Sequence, residues 1–331
     1  MVNFLKSKSK RGALLCTFIE SQPTEGAPLK QACFGVGSRF NRSMNYRSDS
    51  RFVRVAAVGC VAVAFFLGIV SGQAASPLKV LLITGGCCHD YDTQKDILKR
   101  GLEARANVLV DQVHTSDKST KPPLSILGNP NYAAGYDVVI HDECGANLSE
   151  ESDVRAVLKP HVDGLPGVNL HCAVHSYRIG NPRDPVEAGT PHAWWFEYLG
   201  IQSSGHGPHE PVSVHFEPGK SPITVGFEDW KTGKEELYNN HKVFDTATPL
   251  AGGKQIVRRR NGSEREAEAV VVWTNEFGPK KTKVFTTTLG HYSETVGDDR
   301  YLNLVTRGLL WATGHLDAEG NPEEGFGPQG E

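Results

Sequence analysis

Short apolar runs alternate with amphipathic segments in the middle of the chain. The apolar runs lie at residues 79–84, 107–114, 136–143 and 167–171. The amphipathic segments lie at 90–105 and 149–162, the second with Ser149 as a possible N-cap. Apolar runs of this length indicate buried strands, and helices between them indicate βαβ units. This part of the chain therefore predicts a parallel sheet with helices on both faces.

The pattern changes after residue 200, where the predicted strands follow one another without helices. Three strands are predicted at 211–216, 254–260 and 267–277, and a buried strand at 281–291. Asn261-Gly262 predicts a hairpin, whose loop can be longer than two residues. A final helix is predicted over 298–314, with its apolar face formed by Leu302, Val305, Leu309 and Ala312. The fold class is therefore α/β, with an insertion that contains a β-hairpin.

The N-terminal part differs in composition from this domain. Residues 55–78 carry no charge, and their apolar core, 55–70, is shorter than the about 20 residues of a membrane-spanning helix. We interpret 44–76 as an export signal cleaved near Ala74 or Ala75, or alternatively as an N-terminal membrane anchor. Starting at Met44 gives the usual order of a signal, so residues 1–43 are predicted to be disordered or to precede the true start. The domain is predicted over 77–317, followed by a flexible, glycine-rich and acidic tail, 318–331.

The net charge of the chain restricts the classes of molecule that it is expected to bind. The net charge is −3 and the isoelectric point about 6.5, so no basic field suggests nucleic-acid binding. We expect contact with a membrane only through the N-terminal signal or anchor. The mature protein is expected to be secreted or periplasmic.

Four of the seven cysteines follow the signal: Cys87, Cys88, Cys144 and Cys172. Export would permit disulfides, and four cysteines allow three pairings. Neighbouring Cys87 and Cys88 are expected to be poorly placed to bond each other, because bridged Cα atoms usually lie ~4.4–6.8 Å apart. Cys172 follows a strand as nucleophiles do, but the sequence LHCAVH lacks the flanking glycines of a nucleophile elbow. A buried, unreactive thiol is the favoured interpretation.

Histidines and acids follow four of the predicted buried strands. In order along the chain they are His89 and Asp90, then His141, Asp142 and Glu143, then His171 and His175, then His291 and Glu294. Ligands bind beyond the carboxyl ends of parallel strands, so these groups are expected to gather at one edge of the sheet. The predicted catalytic residues are His89, Asp90, His171, His175 and His291. Helix capping or plain structural hydrogen bonding is the alternative for each residue.

Other side chains are candidates for substrate binding. His206, His209 and Glu210 lie in a glycine- and proline-rich segment, 203–211, that is predicted to be a lid loop or else a solvated turn. Glu143 and Trp194 are further candidates, although Glu143 can simply be exposed and aromatic residues more often belong to the core.

A divalent, zinc-like metal is a possible cofactor. Its ligands would be drawn from His89, His171, His175 and His291, and it would polarise a carbonyl as a Lewis acid. The spacing of these histidines does not match a firm zinc signature such as H-E-x-x-H.

Several ordered motifs resemble the ThuA-like (trehalose utilisation) family over about residues 77 to 315. They are VLLITGGCCHDY, LHCAVHSYR, WWFEYLGIQSSGHGPHEPVSV, EELYN and VVWTNEFGPKKTKVFTTTLGHYSE. The resemblance implies a flavodoxin-like sheet similar to that of class I glutamine amidotransferases, without their catalytic cysteine. It also implies a role in the use of trehalose and related disaccharides through 3-keto sugars. The positions that match family motifs are His89, Asp90, His171, His175, His206 and His291, while FGPKKTKV lengthens a turn relative to the family.

Three functions remain open at this point. The first is an exported enzyme, a hydrolase, lyase or isomerase, that acts on a small carbohydrate such as a trehalose-like or 3-keto disaccharide. Its histidines and carboxylates would perform acid/base chemistry. The second is a non-catalytic carbohydrate-binding module, and the third is a cysteine-dependent amidase or amidotransferase.

Overall fold

The structure is a computed structural model that describes residues 75–258 and 261–329. Its strands are β1 (Leu78–Gly86), β2 (Val108–Thr115), β3 (Val138–Cys144), β4 (Gly167–Leu170), β5 (Ile201–Phe216), β6 (Trp230–Val243), β7 (Ala247–Arg258), β8 (Glu264–Phe277) and β9 (Thr282–Thr287). Its α-helices are α1 (Tyr91–Glu103), α2 (Glu151–Val162), α3 (Trp194–Leu199), α4 (Ser293–Val296) and α5 (Asp299–Thr313). Short 3₁₀ turns lie at His171–His175 and Pro222–Thr224.

All nine strands form one sheet in the order β2-β1-β3-β4-β9-β8-β7-β5-β6. The first five are parallel, with Val80 paired to Val138 and Val168 to Phe285. The last four are joined by antiparallel pairings, beginning with β8 against β9. The parallel half was predicted from its buried apolar runs, and the strand order confirms it.

Helices cover both faces of the parallel half, as predicted. Leu98 of α1 and Leu309 of α5 pack in one buried apolar cluster, which includes alternate residues of the strands such as Val80. Val157 of α2 and Trp195 of α3 pack in the second cluster, on the opposite face. The four apolar positions predicted for α5 are all buried.

Two elements of the antiparallel half differ from the predictions. Segment 203–211, predicted to be a lid loop or a solvated turn, lies inside the long strand β5, which carries several register shifts where it pairs with β6. Strand β6 was not predicted, because only residues 235–238 are buried in a row and most of its other positions are exposed. The predicted hairpin is present as β7 and β8, with Arg258 paired to Glu264.

Helices α2 and α5 begin differently, and the start of α2 differs from the prediction. The N-cap of α2 is Glu150 rather than Ser149, and it makes no side-chain capping hydrogen bond. Asp298 caps α5 by accepting a hydrogen bond from the backbone N–H of Arg300, and Gly314 ends this helix in the left-handed region.

The described part of the C-terminal segment makes contacts with the domain. Phe326 stacks on His315 with ring centroids 3.6 Å apart, and its carbonyl oxygen accepts a hydrogen bond from the backbone N–H of Asn107. The tail therefore adds an aromatic contact that its glycine-rich composition did not suggest.

The predicted segments 1–43 and 44–76 fall almost wholly outside the described residues. Among the residues that the structure does describe, no helix has both the length and the apolar character needed to cross a membrane.

Candidate functional site

Three histidines meet where strands β1, β4 and β9 end. His89 follows β1, His171 follows β4 and His291 follows β9, and a ring nitrogen of each lies within 4.8 Å of one from each of the others. His171 and His291 are buried and His89 is half-buried. We call these three residues the histidine cluster. The structure thus brings together three of the predicted site residues, of which the first and the last are 202 positions apart in sequence.

His171 is held by the turn that follows β4. It takes a φ of +40°, a left-handed conformation that is costly for a residue with a side chain and that occurs preferentially at functional sites. Its Nδ1 lies 2.6 Å from the carbonyl oxygen of Thr288 and donates a hydrogen bond to it. The other ring nitrogen, Nε2, therefore faces the cluster, 3.3 Å from Nδ1 of His291.

A buried carboxylate fixes the backbone at His291. Glu235 accepts hydrogen bonds from the N–H groups of Gly290 and His291 at 3.2 and 3.1 Å. Gln94 of α1 donates to the carbonyl oxygen of His291 at 3.1 Å, and Nδ1 of His89 lies 3.4 Å from the same oxygen. The loop after β9 is consequently tied both to the antiparallel half of the sheet and to α1.

Glu236 of β6 is the common partner of the histidines. Its carboxylate lies 3.4 Å from Nε2 of His171 and 3.4 Å from Nδ1 of His291. It also lies 3.2 Å from Nδ1 of His206 and 2.7 Å from Nε2 of His209. Four imidazoles therefore surround one buried carboxylate, and the two on β5 are the exposed ones, with 42% and 45% of their side chains accessible.

The protonation of the cluster follows from this arrangement. Burial opposes the charge of Glu236, but hydrogen bonds from His171 and His291 outweigh it and hold the pKa of Glu236 far below its usual value. Burial likewise opposes a charge on His171, yet its hydrogen bond to Glu236 and the charge of Glu235 raise its pKa. Burial and the neighbouring histidines lower the pKa of His89 to about 2. An uncharged His89 thus stands beside an anion and a histidine that favours its protonated form.

His175, also predicted for the site, lies next to the cluster rather than in it. Its ring stacks on that of Tyr238 with centroids 4.1 Å apart, and its Nε2 lies 2.9 Å from Oγ of Ser203. Burial, followed by the charge of Arg178, lowers the pKa of His175 well below its ordinary value. Its contacts position a neutral ring behind Tyr238, which itself packs against His171.

Two predicted carboxylates are exposed and stand outside these contacts. Asp90 occupies the N-cap position of α1, where its side chain makes no capping hydrogen bond. Glu210 is exposed on β5, and its backbone carbonyl accepts a hydrogen bond from Gln255.

The two remaining candidates lie elsewhere. Glu143 is fully buried, where its carboxylate bonds Nδ1 of His141 at 2.8 Å and the hydroxyl of Tyr177 at 2.6 Å. Trp194 lies under the guanidinium of Arg155, which is 3.9 Å from its ring centroid, on the face covered by α2 and α3. The structure does not bring either residue to the histidine cluster.

The residues that connect the cluster were not among those predicted from the sequence. Glu235 and Glu236 lie in the motif EELYN, which supported the family resemblance but was not considered as a source of site residues. Tyr292, whose hydroxyl lies 2.9 Å from Nδ1 of His209, was missed as well. Two adjacent acids inside an otherwise buried stretch were the available signal, because buried carboxylates are rare unless they are paired.

The cysteine positions correct one prediction. Cys87 is disulfide-bonded to Cys88, and Cys144 to Cys172. The usual Cα separation argued against a bond between neighbours, but Cys88 takes a φ of +82°, and this turn brings the two sulfurs together. Cys172 is buried and disulfide-bonded, so it lacks the free thiolate that a cysteine-dependent amidase needs.

Comparison with known proteins agrees with this fold and this set of motifs. The family model described as "ThuA: Trehalose utilisation" matches residues 79–312, and the chain belongs to this family. A ThuA-like protein of Parabacteroides merdae has 18% sequence identity and a TM-score of 0.53, over 75% of this chain and 97% of its own. A ThuA-like protein of Bacteroides uniformis has 18% identity and a TM-score of 0.49, over 77% and 99% of the two chains. The search of curated proteins found no significant match.

Proposed function

We propose that this protein is an enzyme that acts on a trehalose-like or 3-keto disaccharide by acid/base chemistry at the histidine cluster. One observation carries the proposal: Glu236 is surrounded by His171, His206, His209 and His291 at the carboxyl edge of the parallel strands. Membership of the trehalose utilisation family supports the class of substrate.

The role of each histidine follows from its protonation state and from its exposure to solvent. His171, whose pKa is raised beside Glu236, is the proton donor, and His89, which is uncharged, accepts a hydrogen bond from the substrate. His206 and His209 are exposed, so a sugar reaches the buried groups from the side of β5. Nδ1 of His206 faces Glu236, so Nε2 of His206 is the nitrogen that remains for a hydrogen bond to a sugar hydroxyl.

The donor set also suits a divalent cation. Hydrogen bonding of Nδ1 to a backbone carbonyl leaves Nε2 of His171 available as a ligand, as is common for histidines that bind zinc. The buried negative charge of Glu236 favours a cation close to it, whether proton or metal. In a metal-bound form, His89, His171 and His291 would be ligands instead of proton-transfer groups, and the metal would polarise a sugar carbonyl.

We further propose export, with removal of the segment before about residue 76. The apolar core 55–70 and the small residues that follow it support this, and so do two disulfides, which form in oxidising compartments. N-terminal sequencing of protein recovered from the periplasm or medium tests it. A chain that still begins at Met1 or Met44 would contradict cleavage.

The function is tested by incubating the purified domain with trehalose and with 3-ketotrehalose, with product analysis and metal analysis of the same sample. We expect conversion of one of these sugars, and at least about a 100-fold loss in kcat/KM for His171→Ala and Glu236→Gln. His215→Ala is the matched control, because His215 lies on the same strand as His206 but pairs with the exposed Asp229. His89→Ala and His291→Ala are expected to lose bound metal, while His215→Ala keeps it.

The outcomes separate the open functions. Binding of sugar without conversion, weakened by the same substitutions, would indicate a binding module instead. Undiminished conversion in both His171→Ala and Glu236→Gln would overturn the assignment of the site.

A further inference from the structure

All four cysteines of the described residues lie at one place, beside the histidine cluster. Cys87 and Cys88 follow β1, Cys144 ends β3, and Cys172 lies in the turn after β4. These three strands are neighbours in the sheet, so their carboxyl ends bring the sulfurs together. We call these residues the cysteine quartet.

The approach of β1 to β3 depends on glycine. Gly86 takes a φ of +100°, and a Cβ at this position would overlap the carbonyl oxygen of Cys144. The close approach leaves Sγ of Cys87 3.5 Å from Sγ of Cys144. The two disulfides are therefore in contact with each other. Two independent structural cross-links would not need this contact.

The two disulfides differ in access to solvent. Cys88 is exposed, whereas Cys87, Cys144 and Cys172 are only 7%, 3% and 8% exposed. A reductant in solution can reach the Cys87–Cys88 bond through Cys88. The Cys144–Cys172 bond is buried at both sulfurs, and the sulfur that contacts it is that of Cys87.

We propose that the cysteine quartet is a redox-active site in which Cys87 and Cys88 relay reduction from an external dithiol to the buried Cys144–Cys172 disulfide. The inference is independent of the proposed sugar chemistry. The reductant is a dithiol, either a small molecule or a protein with two vicinal thiols, and it ends as its own disulfide.

The exchange balances in two stages. In the first, the dithiol attacks Cys88, and its second thiol closes the reductant's disulfide, leaving Cys87 and Cys88 as thiols. In the second, the thiolate of Cys87 attacks Sγ of Cys144, and Cys172 leaves as a thiolate that takes up a proton. The thiolate of Cys88 then attacks Cys87, which reforms the Cys87–Cys88 bond and releases Cys144. The net result is transfer of two electrons and two protons to Cys144 and Cys172.

Reduction would change the surroundings of His89. The sulfurs of Cys144 and Cys172 lie within 4.8 Å of a ring nitrogen of His89 and of each other. Opening their bond places two free thiols next to this histidine.

Single-cysteine variants test the relay directly. In Cys88→Ser the thiol of Cys87 can still attack Cys144, but there is no Cys88 thiol to release Cys87 afterwards. Cys87 therefore stays bonded to Cys144. We expect the mixed disulfide Cys87–Cys144 and a free Cys172, detected by alkylation and peptide mapping of the folded protein. Cys87→Ser is the matched control: its remaining thiol is the exposed Cys88, and most of the protein should keep the Cys144–Cys172 bond.

A kinetic experiment tests the same route without trapping. The folded wild type and the Cys87→Ser/Cys88→Ser variant are treated with dithiothreitol, and alkylation of Cys172 is followed with time. We expect at least a 10-fold slower reduction in the double variant, and equal rates when both proteins are unfolded in guanidinium. An intact Cys144–Cys172 bond in folded Cys88→Ser, or equal rates in the folded proteins, would overturn the relay.

Discussion

Gly290, beside the histidine cluster, has no room for a larger residue because a neighbouring side chain lies against it. Its φ is +117°, and a Cβ here would lie 2.7 Å from the hydroxyl oxygen of Tyr301. A glycine next to a site residue often lets the backbone approach a ligand closely. The structure gives a different cause, since the atom that approaches it closely belongs to α5.

Gly290→Ala should therefore destabilise the protein twice over, through its backbone conformation and through overlap with Tyr301. We expect a loss of about 2–4 kcal/mol in the free energy of unfolding. Gly135→Ala is the matched control, because Gly135 also has a positive φ, +87°, but has no atom within 4 Å of the added Cβ. It should lose about 1–2 kcal/mol. Urea unfolding measures both, and equal losses would show that the contact with Tyr301 is unimportant.

In helix α5, tertiary packing favours a glycine at a position where helix propensity alone would favour alanine. Gly308 lies in the middle of α5, and a Cβ there would overlap the ring of Phe285 on β9. In an isolated helix, Gly308→Ala would stabilise by up to about 1 kcal/mol. In the folded protein we expect it to destabilise by about 1–3 kcal/mol, because α5 would have to move away from the sheet.

Thermal unfolding followed by circular dichroism checks this expectation. Thr313→Ala, in the last turn of the same helix, is the comparison, because it changes helix propensity and removes only hydrogen bonds to carbonyl oxygens of its own helix. Phe285→Leu in the Gly308→Ala background should recover part of the loss by making room. A Gly308→Ala protein as stable as the wild type would contradict the packing argument.

Elements with a local signal could be predicted from the sequence, and those defined by distant pairing could not. The apolar run of β1 and the amphipathic face of α5 are properties of neighbouring residues, and both were recognised. Strand β6 exists because β5 pairs with it, and its exposed polar residues give no period of their own. The histidines of the cluster were found because each follows a recognisable strand. Glu236, which connects them, lies on the strand that was missed.

For the whole molecule, buried neutral histidines make stability depend on pH. His161 is fully buried, and burial, followed by the nearby His141, lowers its pKa to about 3. Between pH 6.5 and 3 the unfolded chain binds a proton at this residue and the folded protein does not. The contribution of neutral His161 to the free energy of unfolding is complete above pH 6.5. It is lost as the pH falls towards 3, by up to about 5 kcal/mol.

His161→Phe should therefore reduce the dependence of stability on pH. At pH 7 we expect it to lose about 1–3 kcal/mol, because the carbonyl oxygen of Leu165 and a ring nitrogen of His141 lose their partner. Between pH 6.5 and 4, its free energy of unfolding should fall less steeply than that of the wild type. Urea titrations at pH 7, 5.5 and 4 measure both effects, and parallel curves would show that His161 does not cause the pH dependence.

The position of β9 has a consequence for synthesis on the ribosome. It is the last strand in the chain, yet it stands fifth of nine in the sheet, between β4 and β8. Until it emerges, the nascent protein can build only two half-sheets, each with an open edge that would bind another strand. A chain stalled after Phe277 would therefore be prone to aggregation, and the arrival of six residues, Thr282–Thr287, both joins the halves and leads directly into His291.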